Sequence, residues 1–201
     1  MQEGPSDTAD AHYQGRRRSE QRLDELQRLW TPWRMAYIRS DEPDLDGCPF
    51  CVLPNQDGVD DADAFILWRG DHCFCILNAY PYNPGHLMVV PYRHIADYDA
   101  LGDAELTEMA LLTRTAIRAL RVSSGPHAFN MGLNAGRVAG AGIADHVHQH
   151  VVPRWGGDTN FMPVIGQTRV LPELLEETFA ALRPAFIAAA DGSLGSGDGG
   201  S

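Results

Sequence analysis

Three histidines alternate with other residues in one short segment of the chain. The stretch HVHQHVVPRW covers residues 146–155 and places imidazoles at His146, His148 and His150. In a β-strand, side chains two residues apart point to the same face, so the three rings would share one side of a sheet. Neutral imidazole is a nucleophile and a proton carrier near pH 7, and neighbouring imidazoles should titrate together and have different roles. A chance row of surface histidines is the alternative, and three at period two argue against it.

Two cysteines form a second candidate site. Cys48 and Cys51 lie in GCPFC, a spacing used both by redox dithiols and by zinc sites. A redox dithiol would favour a βα context with its first cysteine at a helix start, whereas this pair follows the polar stretch SDEPDLDG. Zinc is the better interpretation, although a tetrahedral site needs two more ligands, and two free thiols remain the alternative. Cys73 and Cys75 alternate in an apolar run and are expected to be core thiols.

Composition limits the classes of partner. The chain has 201 residues and a formal net charge of -11, and all 16 of its basic residues are arginine. This acidic balance argues against binding to nucleic acid or to an anionic membrane, because both require a basic surface. Backbone N–H groups could still hold the phosphates of a small nucleotide. No apolar run approaches the roughly 20 residues of a membrane helix, and the N-terminus lacks the apolar segment of a signal peptide. We therefore expect a cytoplasmic protein with reduced cysteines.

Short apolar runs separated by turn residues predict the elements that would position these groups. Gly70-Asp71 joins the first two runs and is a hairpin signal. The five predicted strands are residues 64–69, 73–78, 87–91, 128–133 and 146–152.

Two helices are expected beside these strands. Apolar residues at helical spacing predict one from Asp103 to Arg121, with Asp103 as the N-cap and Glu105 in the first turn. The other should lie near 171–189, where Pro184 should kink or end it. Hairpins and a few helices without a βα repeat indicate an α+β fold with a mainly antiparallel five-stranded sheet.

The ends of the chain differ in composition from its middle. Residues 1–22 are polar and poor in aromatic residues, which predicts a disordered tail. Residues 191–201 are rich in glycine and serine, which predicts a flexible tail. One folded domain is therefore expected over residues 23–190.

The histidine segment resembles the signature of the histidine triad (HIT) family, His-φ-His-φ-His-φ-φ, in which φ is apolar. HVHQHVV fits it except at Gln149, which should lie on the face opposite the histidines. The segments PYNPGHLMVVPYRH and GLNAGRVAGAG also occur in the family's order, over roughly residues 29–161. LWTPWR and PRWGGDTNF resemble the bacterial branch near the diadenosine polyphosphate phosphorylases and hydrolases. The resemblance implies a HIT-like fold that forms at least a dimer.

The resemblance also implies an enzyme that cleaves a dinucleoside polyphosphate, such as diadenosine tetraphosphate, at the α-phosphorus. His148 would be the nucleophile and carry the nucleotide as a covalent intermediate. His150 would hydrogen-bond the phosphate or the leaving oxygen. Phosphate as the acceptor, which defines a phosphorylase, is slightly favoured over water. A nucleoside phosphoramidate hydrolase and a non-catalytic nucleotide-binding module are the alternatives.

Contacts to the substrate are implied at two further places. Asn78 would hold the ribose hydroxyls, although a cap of the turn after its strand is the alternative. The loop AGRVAGAG would bind phosphate through backbone N–H groups, unless it is a plain flexible hairpin loop. Many family members carry Ser or Thr near the end of this loop, and this chain does not. The expected contacts here are Asn134, Gly140, Ala141 and Gly142.

The resemblance supplies the missing metal ligands as well. Many relatives complete such a cysteine pair with the first triad histidine and with a histidine just after the PGH strand, which is His94 here. Cys48, Cys51, His94 and His146 would then form a closed Cys₂His₂ zinc site. A closed site leaves no position for water, so the metal would be structural. His86, within PGH, is expected to support the site through a hydrogen bond.

Overall fold

The structure, a computed structural model, describes residues 47–158 and 173–193 and has a five-stranded sheet at its centre. The strand order is β1-β2-β3-β5-β4, and all neighbouring strands are antiparallel, as expected. The strands are β1 (Ile66–Arg69), β2 (Cys73–Leu77), β3 (Leu87–Pro91), β4 (Ala128–Leu133) and β5 (Gln149–Arg154). The α-helices of the described part are α1 (Pro49–Val52), α2 (Asp103–Ser123) and α3 (Leu175–Ala190).

The ends of the chain and the segment before α3 are not among the described residues. The predicted tail 1–22, most of the tail 191–201 and the LWTPWR stretch therefore lie outside them. The predicted domain boundaries and the expected dimer stay predictions. None of the helices in the described ranges is long and apolar enough to cross a membrane.

The last strand begins later than the sequence indicated. We expected a strand over 146–152, whereas β5 starts at Gln149. The N–H group of Val147 donates to the carbonyl of Ile95 (2.7 Å), outside the strand ladder, so His146 and His148 lie in the lead-in to the strand. The expectation of one continuous strand through all three histidines is wrong.

The side chains of this segment nevertheless alternate between the two faces of the sheet. Val147 and Val151 are buried in the core that α2 and α3 cover. The amide of Gln149 donates to the hydroxyl of Thr113 in α2 (2.9 Å). The expected position of Gln149, opposite the histidines, is confirmed.

The start of α2 also differs from the expectation. Its N-cap is Gly102, with an extended backbone, and Asp103 is the first helical residue. The carboxylate of Glu105 accepts a hydrogen bond from the Gly102 N–H (2.7 Å), which satisfies a backbone donor at the helix start. The N-cap is therefore one residue earlier than predicted, because the glutamate reaches back along the helix.

Pro184 does not end α3, which was one of the two expected outcomes, and a kink at this residue stays a prediction. The helix continues to Ala190, and Pro184 lies on its exposed side. Ala180, whose carbonyl would have received a bond from that position, is also exposed, so water can satisfy it. Leu182 and Phe186, both buried, hold the two halves of the helix against the core.

The sheet separates two apolar cores. On the side covered by α2 and α3, which we call the helix face, the core includes Leu67, Leu87, Val89, Leu120 and Phe186. The opposite side, which we call the histidine face, carries a smaller core of Phe50, Ala64, Ile66, Phe74, Ile76, Met88 and Val90.

The turn between β1 and β2 is attached to α2 by one carboxylate. Glu108 accepts backbone N–H bonds from Asp71 (2.9 Å), His72 (2.6 Å) and Cys73 (2.7 Å). A Cβ atom at Gly70 would collide with this carboxylate, which explains the glycine in the turn. We call this arrangement the Glu108 clamp.

Candidate active site and metal centre

The ring of His148 is held in a defined tautomer. Its Nδ1 lies 2.8 Å from the backbone carbonyl of His146, and since a carbonyl can only accept, Nδ1 carries the hydrogen. In the neutral ring, Nε2 therefore keeps its lone pair. Burial lowers the pKa of His148, which favours this neutral form at neutral pH. The ring thus presents one basic, nucleophilic nitrogen.

A second series of contacts defines the tautomer of His150. The backbone N–H of Tyr82 donates to Nδ1 of the buried His86 (3.0 Å), so the hydrogen of the neutral His86 ring is on Nε2. That Nε2 lies 3.0 Å from Nδ1 of His150, which must then accept. The hydrogen of the neutral His150 ring is consequently on Nε2. The expected supporting contact of His86 is present, and it makes His150 a donor through its outer nitrogen.

The two rings are close enough to act on one phosphate group. The centroids of His148 and His150 are 4.9 Å apart, with the planes at 74°. A Cβ atom at Gly132, which pairs with His150 in the β4–β5 ladder, would meet no other atom within 4 Å. The sheet therefore leaves room for a ligand beside the rings.

Four side chains converge on a point beside this pair. The Sγ atoms of Cys48 and Cys51 lie 3.4 Å and 3.6 Å from Nδ1 of His146, and Cys51 Sγ lies 3.3 Å from Nδ1 of His94. All four atoms are within 4.8 Å of one another. Tetrahedral zinc with ordinary bond lengths would place S and N ligands about 3.6 Å apart. The four residues expected from the sequence are thus brought together at spacings that fit a metal ion, and we call them the metal centre.

The protonation state of His146 suits a metal ligand. Its Nε2 lies 2.8 Å from the carbonyl of Pro91, so Nε2 carries the hydrogen and Nδ1 faces the cysteines with a lone pair. Burial and the neighbouring Cys48 raise the pKa of Cys51, so two thiolates without a cation would be costly. A divalent cation would offset that cost.

Asn78 lies beside the histidines but already has a partner. Its Oδ1 accepts the backbone N–H of Tyr80 (2.9 Å), which is the turn-cap contact given as the alternative. Its Nδ2 lies 3.4 Å from Nε2 of His86, so the side chain is at the edge of the site. Contact with a ribose stays a prediction.

The Gly-rich loop follows β4 directly. Asn134 comes just after the last β4–β5 pair, Leu133 with Gln149. The N–H groups of Gly140 and Ala141 donate within the loop, to the carbonyls of Arg137 (3.0 Å) and Gly136 (3.3 Å). Gly140 has a left-handed backbone (φ 91°), which requires glycine. These two N–H groups would have to leave their loop partners to bind phosphate. The contacts expected for Asn134, Gly140, Ala141 and Gly142 stay predictions.

Sequence reasoning missed two residues of the site. The ring of Tyr82 stacks on His86, with centroids 4.9 Å apart and planes at 12°. The ring of Phe50, between the two cysteines, packs against His146 and His148. Phe50 lies between two predicted metal ligands in the sequence, which could have predicted its place beside His146. The contact of Tyr82 with His86 depends on the course of a turn, which the sequence does not show.

An antiparallel sheet that presents alternating histidines beside a Cys₂His₂ cluster defines a histidine triad protein, and the chain belongs to the HIT family. Residues 59–157 match the family model described as HIT domain. A protein of Mycobacterium tuberculosis named AP-4-A phosphorylase is 45% identical over 159 residues, which are 77% of this chain and 82% of that protein.

Solved structures agree with this assignment. A zinc-bound histidine triad family protein from Mycobacterium smegmatis superposes with a TM-score of 0.60 at 28% identity, covering 73% of this chain and 98% of that one. A protein of Sulfolobus tokodaii described as a hypothetical histidine triad nucleotide-binding protein superposes with a TM-score of 0.57 at 23% identity. The match covers 72% of this chain and 93% of that one, and it shows the shared fold.

Proposed function

We propose that the chain is a HIT enzyme that cleaves dinucleoside polyphosphates, diadenosine tetraphosphate in particular, through a nucleotidyl intermediate on His148. The observation that carries the proposal is the pair of opposite tautomers: Nε2 of His148 has a lone pair and Nε2 of His150 has a hydrogen. A nucleophile and a proton donor are what phosphoryl substitution requires. The 45% identity to the protein named AP-4-A phosphorylase supports the substrate class.

In the first step, Nε2 of His148 attacks the α-phosphorus. A P–N bond forms, the bond to the bridging oxygen breaks, and ATP leaves when the substrate is diadenosine tetraphosphate. The His148 ring becomes positively charged, and the hydrogen bond from its Nδ1 to the His146 carbonyl stabilises that charge. His150 donates to the phosphate or to the leaving oxygen.

In the second step, the acceptor attacks the same phosphorus and the P–N bond breaks. Inorganic phosphate as the acceptor yields ADP, and water yields AMP. We favour phosphate as the acceptor, because the 45% identical relative is named AP-4-A phosphorylase. The ring of His148 returns to its neutral form, ready for another turnover.

The metal centre fits zinc and would have a structural role. Two thiols and two imidazole nitrogens complete a tetrahedral set, so no position is left for a water molecule or for substrate. When bound, zinc would crosslink α1 to the segment that precedes β5. The similarity to the zinc-bound protein from Mycobacterium smegmatis supports this choice of metal.

Product analysis tests the proposal. Purified protein is incubated with diadenosine tetraphosphate, with and without inorganic phosphate, and the nucleotides are separated by chromatography. ATP and ADP formed with phosphate identify a phosphorylase, and ATP and AMP formed without phosphate identify a hydrolase. Turnover of an adenosine phosphoramidate without cleavage of diadenosine tetraphosphate would overturn the proposed substrate.

Chemical trapping tests the intermediate. Acid-labile, base-stable adenylate on the wild-type chain, absent from His148→Ala, is the expected result. An adenylate that persists in the His148→Ala protein would overturn the nucleophile assignment.

A further inference from the structure

Phe50 connects the metal centre to the ring of His148. It is 3% exposed, and in the sequence it lies between Cys48 and Cys51 of GCPFC, a segment that we call the knuckle. Its ring centroid is 5.4 Å from that of His146, in an edge contact at 79°, and 5.0 Å from that of His148, at 51°. One aromatic ring therefore touches a residue of the metal centre and the proposed nucleophile.

The hydrogen bond of His148 does not by itself fix the orientation of its ring. The bond from Nδ1 to the His146 carbonyl holds one nitrogen. The χ2 torsion of histidine is broad, so the ring can still swing about that contact and move Nε2. A packed aromatic neighbour limits the swing, because the interior has no spare volume beside it. Phe50 is placed to provide this limit.

The segment that carries Phe50 is short and well anchored. The N–H groups of Cys51 and Val52 both donate to the carbonyl of Cys48, at 2.9 Å and 3.0 Å. The position of the ring therefore follows the positions of the two cysteines. A metal ion that draws these cysteines towards His146 would also set the place of Phe50.

We propose that Phe50 is a positioning residue for His148, so that the metal centre sets the attack geometry of the nucleophile through the Phe50 ring as well as through the His146 carbonyl. The inference rests on the proposed role of His148. A displacement of about 1 Å at a reacting atom can cost about 100-fold in rate, which makes such positioning measurable.

The chain offers a matched control in Phe74. Both phenylalanines are buried in the small core of the histidine face. Phe74 is 0% exposed and stacks on Tyr92, with centroids 5.2 Å apart, and among the described residues its ring contacts include no histidine. Phe50→Leu and Phe74→Leu therefore remove the same atoms from the same core, and they differ in contact with the imidazoles.

The test compares these two variants by their zinc content, thermal stability, kcat and KM. We expect both to keep the wild-type zinc content and to melt at lower temperature. In Phe50→Leu we expect kcat to fall about 10-fold to 100-fold with KM within about threefold, since orientation and not affinity is lost. In Phe74→Leu we expect kcat within about twofold of the wild type. Histidine ¹⁵N spectra should show the same His148 tautomer in both variants, because the bond to the His146 carbonyl is kept, and ring signals broadened by motion should appear only in Phe50→Leu.

Two outcomes would overturn the proposal. One is equal kcat values for the two variants, which would make Phe50 a core residue like Phe74. The other is loss of zinc in Phe50→Leu together with the loss of rate, which would assign the effect to the knuckle itself. If Phe50→Leu does not fold, Phe50→Met, which keeps most of the volume without the flat ring, takes its place under the same criteria. Absence of an adenylate on the wild-type chain is a separate result, which would reject the proposed function.

Discussion

The two faces of the sheet contain the same residue types in different surroundings. Cys73 and Cys75, on the helix face, are fully buried in the apolar core, and burial raises the pKa of Cys73 to about 12. Cys48 and Cys51, beside the histidine face, are partly exposed and contact His146. Thiols are inert where burial keeps them protonated and become ligands where imidazoles and a cation can meet them. Residues of the same type are therefore core residues in a central strand and candidate ligands in the short helix before the sheet.

The largest expected difference between the faces is in activity. His148→Ala should lower kcat at least about 1,000-fold and leave nucleotide affinity within about tenfold, because the ring acts in the covalent step. Phe186→Leu, on the helix face, should lower stability by about 1–2 kcal/mol and leave the activity of the folded protein unchanged. Steady-state kinetics, nucleotide titration and urea unfolding measure these quantities. A purified His148→Ala protein with undiminished activity would remove the basis for the comparison.

The next difference concerns the two pairs of cysteines. We expect about one zinc per chain, and Cys51→Ser should release it and lower the melting temperature, because a metal that binds the folded state stabilises it. Cys75→Ser should keep the zinc and lose stability, since a hydroxyl would be placed in an apolar core. Elemental analysis and thermal melting, with and without chelator, measure both effects.

Substitutions at different ligands of the metal centre should lower activity to different extents. Cys51→Ser should keep more activity at low temperature than His148→Ala. Replacing His146 should be worse than replacing Cys48, because His146 lies two residues from the nucleophile on the same face and its ring bonds the Pro91 carbonyl, which holds that segment in place. Wild-type protein prepared without chelator and found free of metal would refute the zinc site.

A smaller effect concerns the ion pair that begins α2. Hydrogen bonds from Arg93, at 2.6 Å and 3.0 Å, lower the pKa of Glu105 from its ordinary 4.5 to about 2. A lowered pKa means that the ionised carboxylate stabilises the fold above about pH 4.5, and that this contribution is lost as the pH falls towards about 2. Glu105→Gln should therefore cost about 1–3 kcal/mol at pH 7 and progressively less in acid. Urea unfolding at several pH values measures the difference, and a cost that does not change with pH would contradict it.

The smallest expected effect is at Gln149, between the histidines in sequence but on the other face. Gln149→Ala removes its bond to Thr113 and should cost about 0.5–1.5 kcal/mol. Activity should stay within about twofold, because the side chain points away from the rings. A large loss of activity in this variant would show that the faces are not functionally separate.

Local sequence patterns were sufficient for most of the sheet. The strands at 73–77, 87–91 and 128–133 follow from apolar runs between turn residues, and β1 begins at Ile66 because Phe65 has a left-handed backbone (φ 54°). The alternation of HVHQHVV gave the correct face for Gln149 even though the strand starts late. Side chains alternate wherever the backbone is extended, so the pattern predicts their direction. A residue belongs to a strand only if a neighbouring strand lies beside it to form hydrogen bonds, and the pattern does not show that.

Contacts across the fold could not be obtained in this way. The four members of the metal centre were expected from the family resemblance, and the structure brings them together. The bond between His86 and His150 joins residues 64 positions apart, and the ring of Phe50 reaches histidines almost 100 positions further along. No spacing in the sequence encodes such distances, because they depend on how the chain closes on itself.

The Glu108 clamp has a consequence for local opening. Surface turns ordinarily exchange their amide hydrogens quickly, because they open without disturbing the rest of the molecule. Here the amides of Asp71, His72 and Cys73 are bound to a carboxylate in the middle of a helix, so the turn cannot open unless it abandons all three bonds together. Their deuterium uptake should therefore follow that of α2. The hairpin tip then belongs to the same cooperative unit as the helix, and it is a poor place to insert a tag or a new pair of chain ends.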